Sequence, residues 1–302
     1  MLVQRLAIRP SRVTRTPRAR ALAIMFAAVA VGSCSFTLID LVLRHLSPSS
    51  LAAGRVVFSA LAFVAVVVAQ PHRRTPIARG DRLRVVLCGL GGSAGFHLLY
   101  SAGQHRASVA ASAVVLGTMP AMTAIGEWAF LGHRLTRRQM VGVVCSVLGI
   151  VIISWGASSG QSTSLVGIVL VAAATLVWSA VTVATRSVAD RYDSWWLNTP
   201  GTVLGALVML VVASGDVHEF ASLPARDWLL LAWLGAVSSA FIYAALAMAM
   251  QALPATSVAS LGTLVTPIGI GVAWAVLDQP PSAAAAAGSA VVVLGVVLVT
   301  RA

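Results

Sequence analysis

The chain has 302 residues, of which 58% are hydrophobic and only 10% charged, with a formal net charge of +12. Soluble domains carry about 25% charged residues, so this chain has too little polar surface to stay in water and reads as a membrane protein. Its basic side chains are all arginines, set between apolar runs rather than in one patch, which excludes a nucleic-acid-binding surface. Cys34, Cys88 and Cys145 lie in apolar runs without CxxC or Cys/His spacing, so no disulfide framework or metal site is expected.

Residues 1–20 hold six arginines and read as a disordered cytoplasmic arm. Val31-Gly32-Ser33-Cys34 has a faint likeness to a cleavage site, but the apolar run continues to Leu43. That is too long for a signal peptide and long enough to span a bilayer. Nine further apolar runs come after it, at 49–70, 82–103, 107–131, 137–156, 164–185, 195–214, 227–250, 255–277 and 283–300. Backbone polar groups in lipid must be satisfied within their own segment, so each run predicts a helix. The expected fold is an all-α polytopic membrane protein with ten transmembrane helices. With a cytoplasmic amino terminus, 17 of the 21 arginines fall on inside segments and three on outside loops, so both termini are expected in the cytoplasm. Trp155, Trp195, Trp196 and Trp228 stand at span ends, where an aromatic belt would put them.

The chain repeats. Pro120 and Pro267 are 147 residues apart, Val31-Gly32 aligns with Trp178-Ser179 at the same offset, and Gly142, Leu148 and Gly149 return 146 residues later as Gly288, Leu294 and Gly295. The unit is five spans, and an odd number makes the second copy enter from the opposite side. The expected domains are two inverted five-helix repeats, 21–156 and 164–300. Many secondary transporters are built this way, with the substrate site near the midplane between the repeats.

A charge inside a span costs about 2.5–3.5 kcal/mol on insertion scales, so it needs a reason. Asp40 and Arg55 lie almost symmetrically about the first hairpin turn, and His97 is expected at a similar depth. Arg55 suits a substrate carboxylate and Asp40 an amine or a proton; the competing reading is an ion pair that only neutralises two charges. Glu127 shares a helical face with Ser112, Leu116, Pro120 and Thr123. It is either a proton or cation site, or a carboxylate bonded to a nearby hydroxyl or drawn to the interface. Pro120 and Pro267 each remove a mid-span hydrogen bond and are candidate hinges. Thr118, Ser260, Thr263 and Thr266 offer hydroxyls to a substrate or to a neighbouring helix. Tyr100, Trp178 and Tyr243 are candidate cavity walls. Gly91-x-x-x-Gly95 and the glycines of the fifth and tenth spans read as close-packing faces, with dimerisation the lesser alternative.

Gly32-Ser33-x-Ser-Phe36, Leu43-Arg44-His-Leu-Ser-Pro48, Arg55, and Leu116-x-x-x-Pro120 through Leu131-Gly132-His133-Arg134-Leu135-Thr136 resemble the first half of an EamA-type transporter of the drug/metabolite transporter superfamily. Trp178, Arg186 and Leu264-x-x-Pro267 resemble its second half. The resemblance implies a central cavity lined mainly by spans one, three, four, six, eight and nine, and export or exchange of small metabolites such as amino acids. Val31 stands where the family usually has Trp, and His133 where it usually has an acid.

The expected function is therefore a secondary transporter, an exporter of amino acids or related apolar or zwitterionic solutes by alternating access. Multidrug efflux by proton exchange is the alternative. A multipass enzyme is disfavoured, because the acids lie mostly in loops, the histidines are far apart, and no HxxH or P-loop pattern occurs. No cofactor and no metal are expected. The expected partners are a small-molecule substrate, the lipid of a plasma membrane and, as a candidate coupling ion, the proton. The chain is expected to act as a monomer or homodimer.

Overall fold

The computed structural model describes residues 17–104, 106–107, 115–156, 164–277 and 282–301. Among the described residues there is no strand, and nine helical rods are long and apolar enough to cross a membrane. The tenth expected run, 107–131, is described in full only from residue 115. In chain order the helices are α1 (Arg18–Val42), α2 (Pro48–Ala69), α3 (Arg79–Leu90), α4 (Phe96–Gln104), α5 (Met119–Leu131), α6 (Arg137–Gly156), α7 (Leu165–Arg186), α8 (Ser194–Val212), α9 (Ala225–Ala232), α10 (Ala240–Ala249), α11 (Ala255–Gly262), α12 (Val265–Leu277) and α13 (Ala283–Thr300). A π-helical segment, Gly91–Gly95, joins α3 to α4, and a second, Trp233–Ser239, joins α9 to α10, so each pair forms one rod.

The rods begin where the sequence supplies an acceptor for unpaired N–H groups. Ser47 accepts from the Ser50 amide, Ser164 from Gly167 and Ser282 from Ala285. Asp193 accepts from both Trp195 and Trp196. α5 stops at Gly132, whose φ of 68° is open to a residue without Cβ.

Equivalent helices of the two halves exchange partners. α4 packs on α7 as α10 packs on α1; α5 packs on α7 as α12 packs on α1; α3 packs on α8 as the second π segment packs on α2. α6 lies along α13. A Cβ at Gly142 would come within 2.6 Å of the Gly295 carbonyl, and one at Gly288 within 2.6 Å of the Gly149 carbonyl. The lower-numbered glycine of one helix meets the higher-numbered glycine of the other, so these equivalent helices are antiparallel, as an inverted repeat requires. Both glycine faces, and Gly91 and Gly95 against Val177 and Val181, are covered within the chain.

Polar links tie the halves together at both ends. On the side of the chain termini, Arg73 pairs with Asp193 at 2.8 Å, Arg191 pairs with Asp81 at 2.7 Å, and the Tyr192 hydroxyl donates to Asp81 at 2.7 Å. Trp196 uses its indole N–H on the Thr75 carbonyl at 2.8 Å, a tie between loop and helix. At the other end, Glu219 accepts from the amide and hydroxyl of Ser47, both at 2.9 Å. Asp193 thus caps α8 and holds a partly buried arginine. Asp193→Ala is expected to cost about 1–2 kcal/mol, mostly the cap, while Asp193→Asn, which still caps, recovers most of it. Thermal melting of the purified protein checks this; equal melting of the two variants would assign the effect to the ion pair instead.

Candidate functional site

Two broken helices face the middle of the molecule. The chain turns at Thr118 before α5 and at Thr263-Leu264 between α11 and α12. At each break the bonding shortens to three residues: the Thr118 amide bonds the Val115 carbonyl at 3.1 Å, and the Thr263 amide bonds the Ser260 carbonyl at 3.1 Å. The two threonine hydroxyls donate to those same carbonyls, at 2.6 Å from Thr118 and 2.7 Å from Thr263. Pro120 and Pro267 therefore sit in the first turn of the helix after each break, not in a helix interior. There an N–H has no partner to lose, and proline's fixed φ favours the helix. The sequence pattern put the interruption at the prolines; the threonines just before them carry it.

The breaks are held by equivalent serines. The Ser33 hydroxyl of α1, 2.8 Å from the Val29 carbonyl of its own helix, also lies 3.2 Å from the Val265 carbonyl, and Ser179 of α7 approaches the Met119 carbonyl at 3.5 Å. Donors and acceptors are each 146 residues apart. Ser33 is thus the counterpart of Ser179, which corrects the sequence alignment of Gly32 with Ser179 by one residue. Runs of Ala, Val and Gly fix a helical register poorly, whereas a hydrogen bond fixes it.

The first π segment sets the central layer. A π turn adds one residue to the rod and re-aims the side chains beyond it, a feature frequent at functional sites. Here it brings Phe96 to a ring distance of 5.0 Å from Trp178, which lies 5.7 Å from Tyr243; Tyr100 stacks on Phe96 at 5.4 Å. The Tyr243 hydroxyl donates to the Gly92 carbonyl at 3.3 Å and lies 3.1 Å from Nε2 of His97. With the tyrosine proton committed to Gly92, Nε2 of His97 is the donor of that second bond. Arg55 reaches the same rod: its Nη2 donates at 3.2 Å to Ser239, one helical turn before Tyr243. The Arg55 Nε is buried with no hydrogen-bond partner among the described residues.

Trp178 and Tyr243 also wall a cavity to which Ser93, Thr182, Asn198 and Thr202 contribute polar groups. It holds about 30 Å³, room for one or two waters and too little for an amino acid. The resemblance implied walls from spans one, three, four, six, eight and nine; among the described residues this small cavity is lined by spans three, six and eight and by α8, which supplies Asn198 and Thr202. The cause is a glycine contact. A Cβ at Gly201 would lie 2.4 Å from the Gly89 Cα, so the α8 backbone comes up against α3 and forms a wall. Asn198 and Thr202, four apart in an apolar run, share one helical face; that spacing was the signal available in the sequence. Phe96, the hub of the ring cluster, carried no such signal.

Glu127 is elsewhere. It is 2% exposed and accepts from the amides of Ala255 (2.7 Å) and Thr256 (2.8 Å) and from the Thr256 hydroxyl (2.6 Å). A carboxylate on the first turn of a helix meets its unpaired N–H groups and the positive end of its dipole. Glu127 thus fastens α5 of the first half to the start of α11 in the second. Pro120 and Thr123, on its predicted face, are buried with it.

Of the expected site residues, the structure gathers Arg55, His97, Tyr100, Trp178 and Tyr243. Thr118 and Thr263 bond within their own breaks, and Thr266 comes just after the second break. Glu127 lies at the α11 terminus. The side chain of Asp40 and all of Ser112 lie outside the described residues.

The chain matches the model of the EamA-like transporter family twice, over residues 19–155 and 165–301. A protein from Streptantibioticus cattleyicolor called a "Probable terminal-alkyne amino-acid exporter" is 26% identical over 277 residues, covering 91% of this chain and 88% of its own. An uncharacterized transporter from Archaeoglobus fulgidus is 26% identical over 57% of this chain and 60% of its own. A crystal structure of a protein 20% identical to the chain superimposes with a TM-score of 0.77, over 94% of this chain and 98% of the other. With paired repeats, paired breaks and a family match spanning both halves, the chain belongs to the EamA-like transporter family.

Proposed function

We propose that this transporter exports small zwitterionic metabolites, amino acids or close relatives, across the plasma membrane by alternating access, with both termini in the cytoplasm. The observation that carries the reading is Arg55, a cation inside the second span that donates to Ser239, one helical turn before Tyr243, and keeps a buried Nε without a partner among the described residues. A planar guanidinium receives a carboxylate through paired hydrogen bonds, while Trp178, Tyr243 and Phe96 suit an apolar or cationic remainder. The named exporter among the relatives supports the substrate class. The small cavity supports alternation, since an amino acid fits only when the helices around it part. The two Thr-Pro breaks are where the helices would bend, and the arginine-rich face that joins the loops 71–78 and 187–193 is the cytoplasmic one.

The test is mass spectrometry of the medium around cells expressing the chain. The expected result is one amino acid or related zwitterion accumulating with the native chain. Arg55→Leu should lower that flux by roughly 10- to 100-fold, as expected for losing a charge-assisted hydrogen bond of about 1.5–3 kcal/mol. Export surviving the joint change of Asp40→Leu with Arg55→Leu would make the two charges a structural pair and sink the reading. Accumulation of structurally unrelated cations instead would point to multidrug efflux.

A further inference from the structure

A second, larger hollow lies away from the central layer, on the side of the chain termini. It is a crevice of about 660 Å³ between α1 and α13, floored by Leu261 and Leu264. Its mouth carries Arg18, Arg138 and Arg301, from three different helices or helix ends, and among the described residues no carboxylate side chain lines it. Its walls are apolar and open sideways: Phe26 is 51% and Val293 44% exposed, in helices that face lipid.

We infer that this crevice binds one anionic phospholipid, with the phosphate between the arginines and an acyl chain along Phe26 and Val293. The charges are built into position. Arg18 donates to the Thr300 carbonyl at 2.5 Å and Arg138 to the Arg301 carbonyl at 3.4 Å, which draws α1 and α6 onto the end of α13. A guanidinium carries five donors, so one carbonyl each leaves donors for phosphate oxygens, which it matches in geometry. A soluble anion would have no use for the apolar walls, and a neutral lipid none for three converging cations. Basic pockets between membrane helices select anionic head groups in this way, each arginine near the surface contributing about 1 kcal/mol. The site is independent of the substrate assignment above.

The experiment is native mass spectrometry of the purified full chain titrated with phosphatidylglycerol or phosphatidylcholine of the same acyl chains. The expected result is retention of phosphatidylglycerol at about 100-fold lower concentration, three arginines at about 1 kcal/mol each. The triple variant Arg18→Gln, Arg138→Gln, Arg301→Gln should bring the two lipids level, while the corresponding triple lysine variant keeps most of the preference. Val293→Trp, which fills the crevice without touching the charges, should weaken both lipids. Equal retention by the native chain would overturn the proposal, as would a preference that survives the glutamine variant. Competition by glycerophosphate, which has no acyl chain, as effective as by the whole lipid would overturn it too.

Discussion

Gly149→Leu is expected to leave little protein that runs as a single folded species after extraction. A Cβ at this position would lie 2.6 Å from Val292 Cγ2 and 2.7 Å from the Gly288 carbonyl oxygen. Backbone atoms on the far side cannot rotate away, so α6 and α13 must separate. Separation also parts Gly142 from Gly295, where a Cβ would come within 2.6 Å. Overpacking of yielding cores costs about 1–3 kcal/mol, and a backbone-to-backbone seam yields less. The expected fall in melting temperature is about 10 °C or more, read by size-exclusion chromatography after heating. Gly80→Ala is the control, since nothing lies within 4 Å of its Cβ position. A Gly149→Leu protein that melts with the native one would mean that the two repeats are not joined through this seam.

Glu127→Ala is the second large effect. The change strips two amides and a hydroxyl of their acceptor in a buried place, and the loss is expected to be about 3–5 kcal/mol. Glu127→Gln keeps one acceptor oxygen and turns an NH2 group towards amides that also donate, so its melting should fall between the two. The pH dependence of transport should be the same in Glu127→Gln as in the native chain, because the carboxylate is occupied as a helix cap. A shifted pH profile in that variant would restore the proton role that a buried acid in a span suggests.

Much of the fold was legible because the bilayer simplifies the problem. Apolar runs must be helices, an odd-numbered repeat must invert, and glycines at seven-residue spacing on the fifth span must meet something small. Local geometry decided by tertiary contact was not carried by the pattern. Neither π segment can be read from hydropathy, since i→i+5 bonding changes no residue's polarity. The breaks precede their prolines because a proline marks where a helix can start, not where the previous one stops. Arg55, His97, Trp178 and Tyr243 were visible as costly or bulky groups in apolar runs, and the structure brings them together. Glu127 was visible too, but its partners are 128 and 129 residues away, beyond any local pattern. Only the structure names the amides and the hydroxyl that bond it.

The α6–α13 seam also bears on how the protein is made. α6 is complete at residue 156, but the helix that covers its glycines begins at residue 283. At a synthesis rate of about 5–20 residues per second, α6 waits some 6–25 s in the membrane before its partner leaves the ribosome. Through that interval a narrow, glycine-lined groove is open to whatever small-residue helix diffuses past. Chaperoned insertion, or rapid pairing within the first repeat, must protect it. A chain stopped before α13 would keep that groove permanently, and should be drawn into mispaired oligomers and degraded.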